Sequence, residues 1–270
     1  MREFTVDVDG VAIHVEDEGD GRPTVLLHGF TGAGSTMADL GSRLGPVRQI
    51  RPDLVGHGSS SAPDDVEAYS MPATAAHVAA VIEHLDVGVV DVVGYSFGGR
   101  VALSLLCARP DLVAKVAVIG ASPGLPTARG RFDRMTSDRQ LAEAIRADGL
   151  EAFVDRWMAL PMWESLAAAV GDEAWAASRE QRLRGTGIGY ANSLLGAGTG
   201  SMPPLHAQLE TIDHPVCLVV GRNDTKFVRS SREVDDLMPN SRLWTIKDAG
   251  HAAHLERPEE TARIIRDFLQ

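Results

Sequence analysis

Gly94-Tyr95-Ser96-Phe97-Gly98 is the stretch of this sequence best suited to covalent or acid–base chemistry. A short apolar run, Val89 to Val93, leads into it, and a segment of helical period beginning Gly98-Gly99 leads out. A serine at such a strand-to-helix turn sits on a strained backbone with its hydroxyl presented outward, and the flanking glycines permit both the turn and the close approach of neighbouring chain. The hydroxyl is a poor nucleophile or base by itself. It needs an imidazole within hydrogen-bond reach and a carboxylate to orient that imidazole. Two later turns offer them: Asp224, in Gly221-Arg222-Asn223-Asp224, follows one apolar run, and His251, in Ala249-Gly250-His251, follows the next. Asp248 is a competing acid, but three residues before His251 in one loop it would struggle to reach the far ring nitrogen. His254 reads as a structural or rim residue. His28 and His57 read as packing or hydrogen-bonding residues, and His14, His77, His84, His206 and His214 lack partners at any spacing that chemistry would demand.

The elements that must position these residues follow from periodicity. Phe4 to Val8 and Val11 to Glu16 alternate apolar and polar residues around Asp9-Gly10, the pattern of a hairpin. Apolar runs at Thr24–Leu27, Val47–Ile50, Val89–Val93, Val113–Ile119, Val216–Val220 and Leu243–Ile246 read as strands buried on both faces. Helical spacing over Ala73–Leu85, Gly98–Ala108 and Pro258–Leu269 alternates with them, which predicts a parallel sheet. Between Ile119 and Val216 no strand is evident. Helical segments at Phe132–Arg146, Leu150–Met158, Glu173–Arg184 and Tyr190–Leu195, broken by Gly149, Pro161, Gly171 and the glycines from Gly185 to Gly189, predict a helical cap. The chain order Ser, Asp, His with this alternation matches an α/β-hydrolase fold. It predicts a mostly parallel eight-stranded sheet flanked by helices, with a core of residues 1–122 and 208–270 and a cap of residues 123–207. In such a fold the loop after the first parallel strand, Leu27-His28-Gly29-Phe30, supplies one oxyanion donor, so the backbone N–H of Phe30 is expected to act with that of Phe97. The loop Asp53 to Ser59 is expected to brace the site.

Bulk properties set the outer bounds. With 270 residues, 44% of them hydrophobic, the chain can bury one substantial core. A formal net charge of −11 and the lack of a concentrated basic face exclude a nucleic-acid partner. No segment has the length of a signal peptide's apolar run or a membrane span, so no membrane partner and a cytoplasmic location are expected. Cys107 and Cys217 read as small core residues, and no metal or other cofactor is expected.

The motifs resemble the α/β-hydrolase superfamily over nearly the whole chain, and the cap is similar to one family within it, the 2-succinyl-6-hydroxy-2,4-cyclohexadiene-1-carboxylate synthases of menaquinone biosynthesis, which are lyases. The resemblance rests on Ser122-Pro123-Gly124-Leu125, Arg134 with Asp138, Gly149 with Phe153, Trp157 with Pro161, Ser165-Leu166, Ala191-Asn192-Ser193-Leu194 and Gly196-Ala197-Gly198-Thr199-Gly200. Gly98-Gly99-Arg100, Asp224-Thr225-Lys226-Phe227 and Gly250-His251-Ala252-Ala253-His254 extend it into the core. Val55 stands where the family usually has proline, Trp163 where it has phenylalanine, and Ala121 is a further departure.

This resemblance implies that Arg100, Arg134 and Lys226 bind a small anionic substrate, with Tyr95 and Trp157 lining its pocket; Arg129 and Arg131 lie close to Arg134 and could take its place. Arg100 has separate physical support, because a cation in the first turn of a helix opposes the macrodipole unless an anion compensates it. The implied reaction eliminates pyruvate from 2-succinyl-5-enolpyruvyl-6-hydroxy-3-cyclohexene-1-carboxylate. A serine hydrolase acting on a carboxylated substrate uses the same Ser96, Asp224 and His251, and a binding module that has lost catalysis is a third reading.

Overall fold

The computed structural model describes residues 1–270. Strands β1 (Arg2–Val8) and β2 (Val11–Glu18) form an antiparallel hairpin through Asp9-Gly10, whose φ values of 53° and 85° suit a two-residue turn that residues with little or no side-chain bulk tolerate best. Burial alternates along β2, so one face meets the core and the other water. Strand β3 (Arg22–Leu27), helix α1 (Ala38–Arg43), β4 (Val47–Pro52), α2 (Met71–Leu85), β5 (Val90–Tyr95), α3 (Phe97–Ala108) and β6 (Val113–Ile119) follow. After the inserted helices come β7 (Val216–Gly221) and β8 (Ser241–Ile246). The eight strands lie in the order β1-β2-β4-β3-β5-β6-β7-β8, with β2 antiparallel to β4 and every pair from β4 to β8 parallel. This is the α/β-hydrolase fold.

Every residue of β5 is buried, which explains why its sequence is a continuous apolar run. Neighbouring residues face opposite layers. Val92 packs with Val78 and Leu103 beneath α2 and α3, while Val93 packs with Leu40 beneath α1 and with Ile265 of the C-terminal helix. Helix α11 (Pro258–Leu269) has the bounds that its period and its first-turn proline predict.

Five helices separate β6 from β7: α4 (Ala128–Asp148), α5 (Leu150–Met158), α6 (Glu164–Leu183), α7 (Gly187–Ala197) and the single-turn α8 (His206–Leu209). They carry a small core of their own, in which Ile145, Phe153, Val154, Tyr190 and Leu194 meet, and Phe30 of the sheet domain packs against it. Two segments differ from the sequence expectation. Helix α6 begins at Glu164 rather than near Glu173, and Gly171, at φ 79°, kinks it in the middle where a full stop was expected. Gly187 and Gly189 lie inside α7 instead of ahead of it. The reason is packing: a Cβ on Gly189 would run into the carbonyl of Gly56, so this turn of α7 presses its backbone against the loop that follows β4. Four further helices were not anticipated: α1, the single-turn α8 and α10 (Ala253–Glu256), and α9 (Thr225–Leu237), a mostly polar helix with Ser231 and Val234 its buried residues.

Candidate active site

The carboxyl ends of β3, β5, β7 and β8 all open on one edge of the sheet, and the loops there carry Phe30, Ser96, Asp224 and His251. Ser96 has φ 51° and ψ −105°, a strained conformation held by its neighbours. Its own N–H donates to the Ile119 carbonyl at 2.8 Å, and the N–H of Gly98 donates to the His28 carbonyl at 3.0 Å. A Cβ on Gly98 would drive into the Leu27 carbonyl, so the close contact of this turn with the end of β3 requires glycine there.

His251 Nε2 lies 2.9 Å from Ser96 Oγ, and its Nδ1 lies 2.6 Å from Asp224 Oδ2. A carboxylate only accepts, so Nδ1 carries the proton and the bare Nε2 faces the hydroxyl, the tautomer a general base needs. The other oxygen of Asp224 accepts the Phe227 N–H at 3.3 Å and thereby caps α9. Asp248 points to solvent, its carboxylate 66% exposed beside Lys247, so Asp224 is the acid that meets the imidazole. Glu256, which the sequence reading overlooked, clamps the His251 loop from behind: its carboxylate accepts the N–H groups of Gly250 at 2.8 Å and Ala252 at 3.1 Å.

The Phe97 N–H is the first of α3 and precedes any intrahelical acceptor, and the Phe30 N–H makes no backbone bond. Both residues line the cavity that contains Ser96. Beneath them His28 accepts the Leu54 N–H on Nε2 at 3.0 Å and donates from Nδ1 to the Gly29 carbonyl at 2.8 Å, a structural assignment for both nitrogens. Asp53 ties the loop after β3 to the loop after β4 by accepting the N–H groups of Gly34 at 2.6 Å and Ser59 at 2.7 Å. Burial pushes His57 and His254 down to about 3, with neighbouring histidines adding to the effect, so both are neutral members of the packing.

The cavity has a volume of about 240 Å³ and lies between this edge and the inserted helices. Trp157 of α5 lines it, with Tyr95 on the sheet side and Arg100, Arg134 and Lys226 around it. Arg100 is gripped by the Ala197 carbonyl and lies 5.1 Å above the Phe97 ring; burial, reinforced by the charge of Arg134, pushes it down to about 9. Burial and the same neighbour lower Lys226. Arg134 reaches Asp138 Oδ1 at 2.8 Å, and burial raises that carboxyl against the pull of Arg134, Arg100 and Lys226. Arg129 pairs instead with Asp133 and is 82% exposed, and Arg131 donates to the carbonyls of Leu125 and Pro126, so of the three arginines Arg134 faces the cavity. Met162, Ser193 and Thr199 also line it and were not nominated from sequence, because they lie in or beside cap elements whose mutual placement no local pattern reveals.

The site can therefore remove a proton or attack a carbonyl beneath a wall of cations. The family model for the α/β hydrolase fold matches residues 23–258. A Bacillus subtilis (strain 168) protein provisionally named as a 2-succinyl-6-hydroxy-2,4-cyclohexadiene-1-carboxylate synthase is 39% identical over 263 residues, covering 97% of this chain and 96% of the relative. The chain belongs to this synthase family. An Enterobacter sp. (strain 638) synthase of the same name is 30% identical over 91% of each chain. The solved structure of MenH from S. aureus superposes with a TM-score of 0.89 at 27% identity, covering 94% of this chain and 97% of that one. No helix of this synthase-family chain is long and apolar enough to cross a membrane.

Proposed function

We propose that the protein is a carbon–oxygen lyase of menaquinone biosynthesis that eliminates pyruvate from 2-succinyl-5-enolpyruvyl-6-hydroxy-3-cyclohexene-1-carboxylate. The observation that carries this reading is the grouping of Arg100, Arg134 and Lys226 around the cavity of Ser96 in a chain of net charge −11. Three cations gathered where burial works against two of them suit a substrate with several carboxylates, which arginine binds through paired, charge-assisted hydrogen bonds. Tyr95 and Trp157 supply the apolar walls.

The reaction needs a base, an oxyanion site and no water. Ser96, its proton passing to His251 Nε2, removes the ring proton beside the succinyl ketone. The ketone oxygen takes up the negative charge and accepts the N–H groups of Phe30 and Phe97. The electron pair then moves through the ring double bond and expels the enolpyruvyl oxygen from its ring carbon. The departing enolate collects the proton from the imidazolium and becomes pyruvate, while Asp224 stabilises the cationic His251 in the interval. The experiment is release of pyruvate from the enolpyruvyl substrate by purified protein, followed by lactate dehydrogenase coupling. Appearance of the cyclohexadiene chromophore in step with pyruvate is expected; no pyruvate above the spontaneous rate overturns the reading.

The 2.9 Å approach of Ser96 Oγ to His251 Nε2 also suits acyl transfer, so a serine hydrolase on a carboxylated ester is the second reading. An acyl–Ser96 adduct trapped from that ester, with no pyruvate from the enolpyruvyl substrate, favours it.

A further inference from the structure

The two backbone donors beside Ser96 are carried by different parts of the molecule. Phe97 opens α3 and is packed into the larger apolar cluster of the core. Phe30 sits on a tight turn after β3, closed by the Gly32 N–H on the Gly29 carbonyl at 2.9 Å. Thr31, the second central residue of that turn, has φ 65° and is fully buried. Positive φ at this position of a turn ordinarily calls for glycine or asparagine, and a β-branched residue there is strained, so its surroundings must hold it in place.

Those surroundings belong mainly to the cap. The Phe30 ring meets Trp157 and Phe153 of α5 and Tyr190 of α7 edge-on, with ring centres 5.3, 6.2 and 5.6 Å away. Tyr190 Oη donates to the Arg182 carbonyl near the end of α6 at 2.9 Å and lies 3.3 Å from the Thr31 carbonyl, which Gln181 Nε2 approaches to 3.4 Å. One hydroxyl therefore joins α6, α7 and the turn. Gly185 makes room for it, because a Cβ there would overlap the Tyr190 hydroxyl. The contacts at 3.3 and 3.4 Å are long for single hydrogen bonds, so the aromatic packing supplies the larger part of the hold. On the sheet side the turn has His28 Nδ1 on the Gly29 carbonyl and the His57 ring 5.7 Å from that of Phe30. Neither Phe153 nor Tyr190 lines the reaction cavity, so neither touches a substrate bound in it.

We infer that Tyr190 and Phe153 are positioning residues for the oxyanion site: seated on the Gly29–Gly32 turn, they fix the direction of the Phe30 N–H, so the cap completes a site of which the core supplies the Phe97 N–H. This rests on the Phe30 N–H as an oxyanion donor and holds whether Ser96 serves an elimination or an acyl transfer. Removing such a donor outright costs on the order of a hundredfold or more in kcat, and turning one from its aim costs part of that.

Two variants of the intact protein test this. Tyr190→Phe keeps the ring and removes the hydroxyl, and Phe153→Leu loosens the ring packing without a polar change. Each should lower kcat for pyruvate release by roughly threefold or more while changing KM less than about twofold, because the loss falls on the charged intermediate and leaves substrate binding alone. Each should also slow the labelling of Ser96 by a fluorophosphonate, whose phosphoryl oxygen calls on the same two N–H groups, by a similar factor. Wild-type protein that releases no pyruvate fails the lyase reading alone, and the labelling rates then decide. If Phe153→Leu fails to fold, Tyr190→Phe decides. An unchanged labelling rate in folded Tyr190→Phe, or a rise in KM with kcat kept, overturns the inference.

Discussion

The carboxyl edge of the sheet and the cap that faces it close on the same cavity, but they are held together in different ways. At the edge, Ser96, His251 and Asp224 are tied in a continuous hydrogen-bonded line, and His28, Asp53 and Glu256 fix the loops beneath them through backbone N–H and C=O groups. Those loops stand on two apolar clusters of 36 and 20 buried residues, against 8 in the cap cluster. The cap side instead presents one arginine with a counter-ion and indole N–H groups with no protein partner, on Trp157 and Trp163. The line of Ser96, His251 and Asp224 is thus pre-set by the core, as are Arg100 on α3 and Lys226 on α9, while Arg134 and Trp157 rest on the thinner layer. Changes on the two sides should therefore fail in different ways.

The sharpest division comes from removing the reacting groups. Ser96→Ala and His251→Ala should each lower turnover by on the order of a thousandfold or more, with the far-ultraviolet circular dichroism unchanged, because the line acts as one unit. Near-normal turnover by correctly folded Ser96→Ala would end the assignment of Ser96. Next in size, Arg100→Ala and Arg134→Ala should each lower kcat/KM for the anionic substrate by roughly tenfold or more, from about 1.5–3 kcal/mol per charged hydrogen bond. Activity on a neutral aryl ester should hardly respond, and equal losses on both substrates would show the arginines to be structural.

A third expectation concerns stability beneath the edge. His57 and His254, held down to about 3, stay neutral in the folded chain, whereas the unfolded chain titrates them near 6.5. Their contribution is whole above pH 6.5 and is lost as pH falls toward 3, by about 1.4 kcal/mol per pH unit for each. Burial of His28 and His77 acts in the same direction. Urea midpoints at pH 7.5 and 5.5 should drop accordingly, and a flat profile would mean these rings are reached by water. The smallest effect separates the two duties of Asp224: Asp224→Asn keeps an N-cap and should leave the melting temperature in place while lowering turnover, whereas Asp224→Ala should add a destabilisation of about 1 kcal/mol. Equal melting temperatures for the two variants would show the cap to be idle.

The same contrast governed what the sequence could disclose. Ser96, Asp224 and His251 each follow an apolar strand at once, so local pattern was enough to find them, and strand bounds differ from expectation by a few residues at most. Phe30 was accessible in the same manner. Met162, Ser193 and Thr199 were hidden because they depend on how far-separated cap segments come to face the sheet. Helix α9 went unnamed although its few apolar residues recur at helical spacing, because it is mostly polar and buries only Ser231 and Val234; its N-cap, Asp224, had already been picked out for its chemistry.

The order of strands in the sheet has a consequence for the growing chain. β7 and β8 are the last two strands to be made and the last two positions at their end of the sheet, so they add to an edge already laid down by β6. Asp224 and His251 arrive with them. A chain still emerging from the ribosome can have its nucleophile elbow and all its cap helices in place while Ser96 has no base beside it. The hydrogen-bonded line of Ser96, His251 and Asp224 is thus the last feature to be assembled, and a product cut short before the last two strands lacks it even where the rest of its sheet has formed.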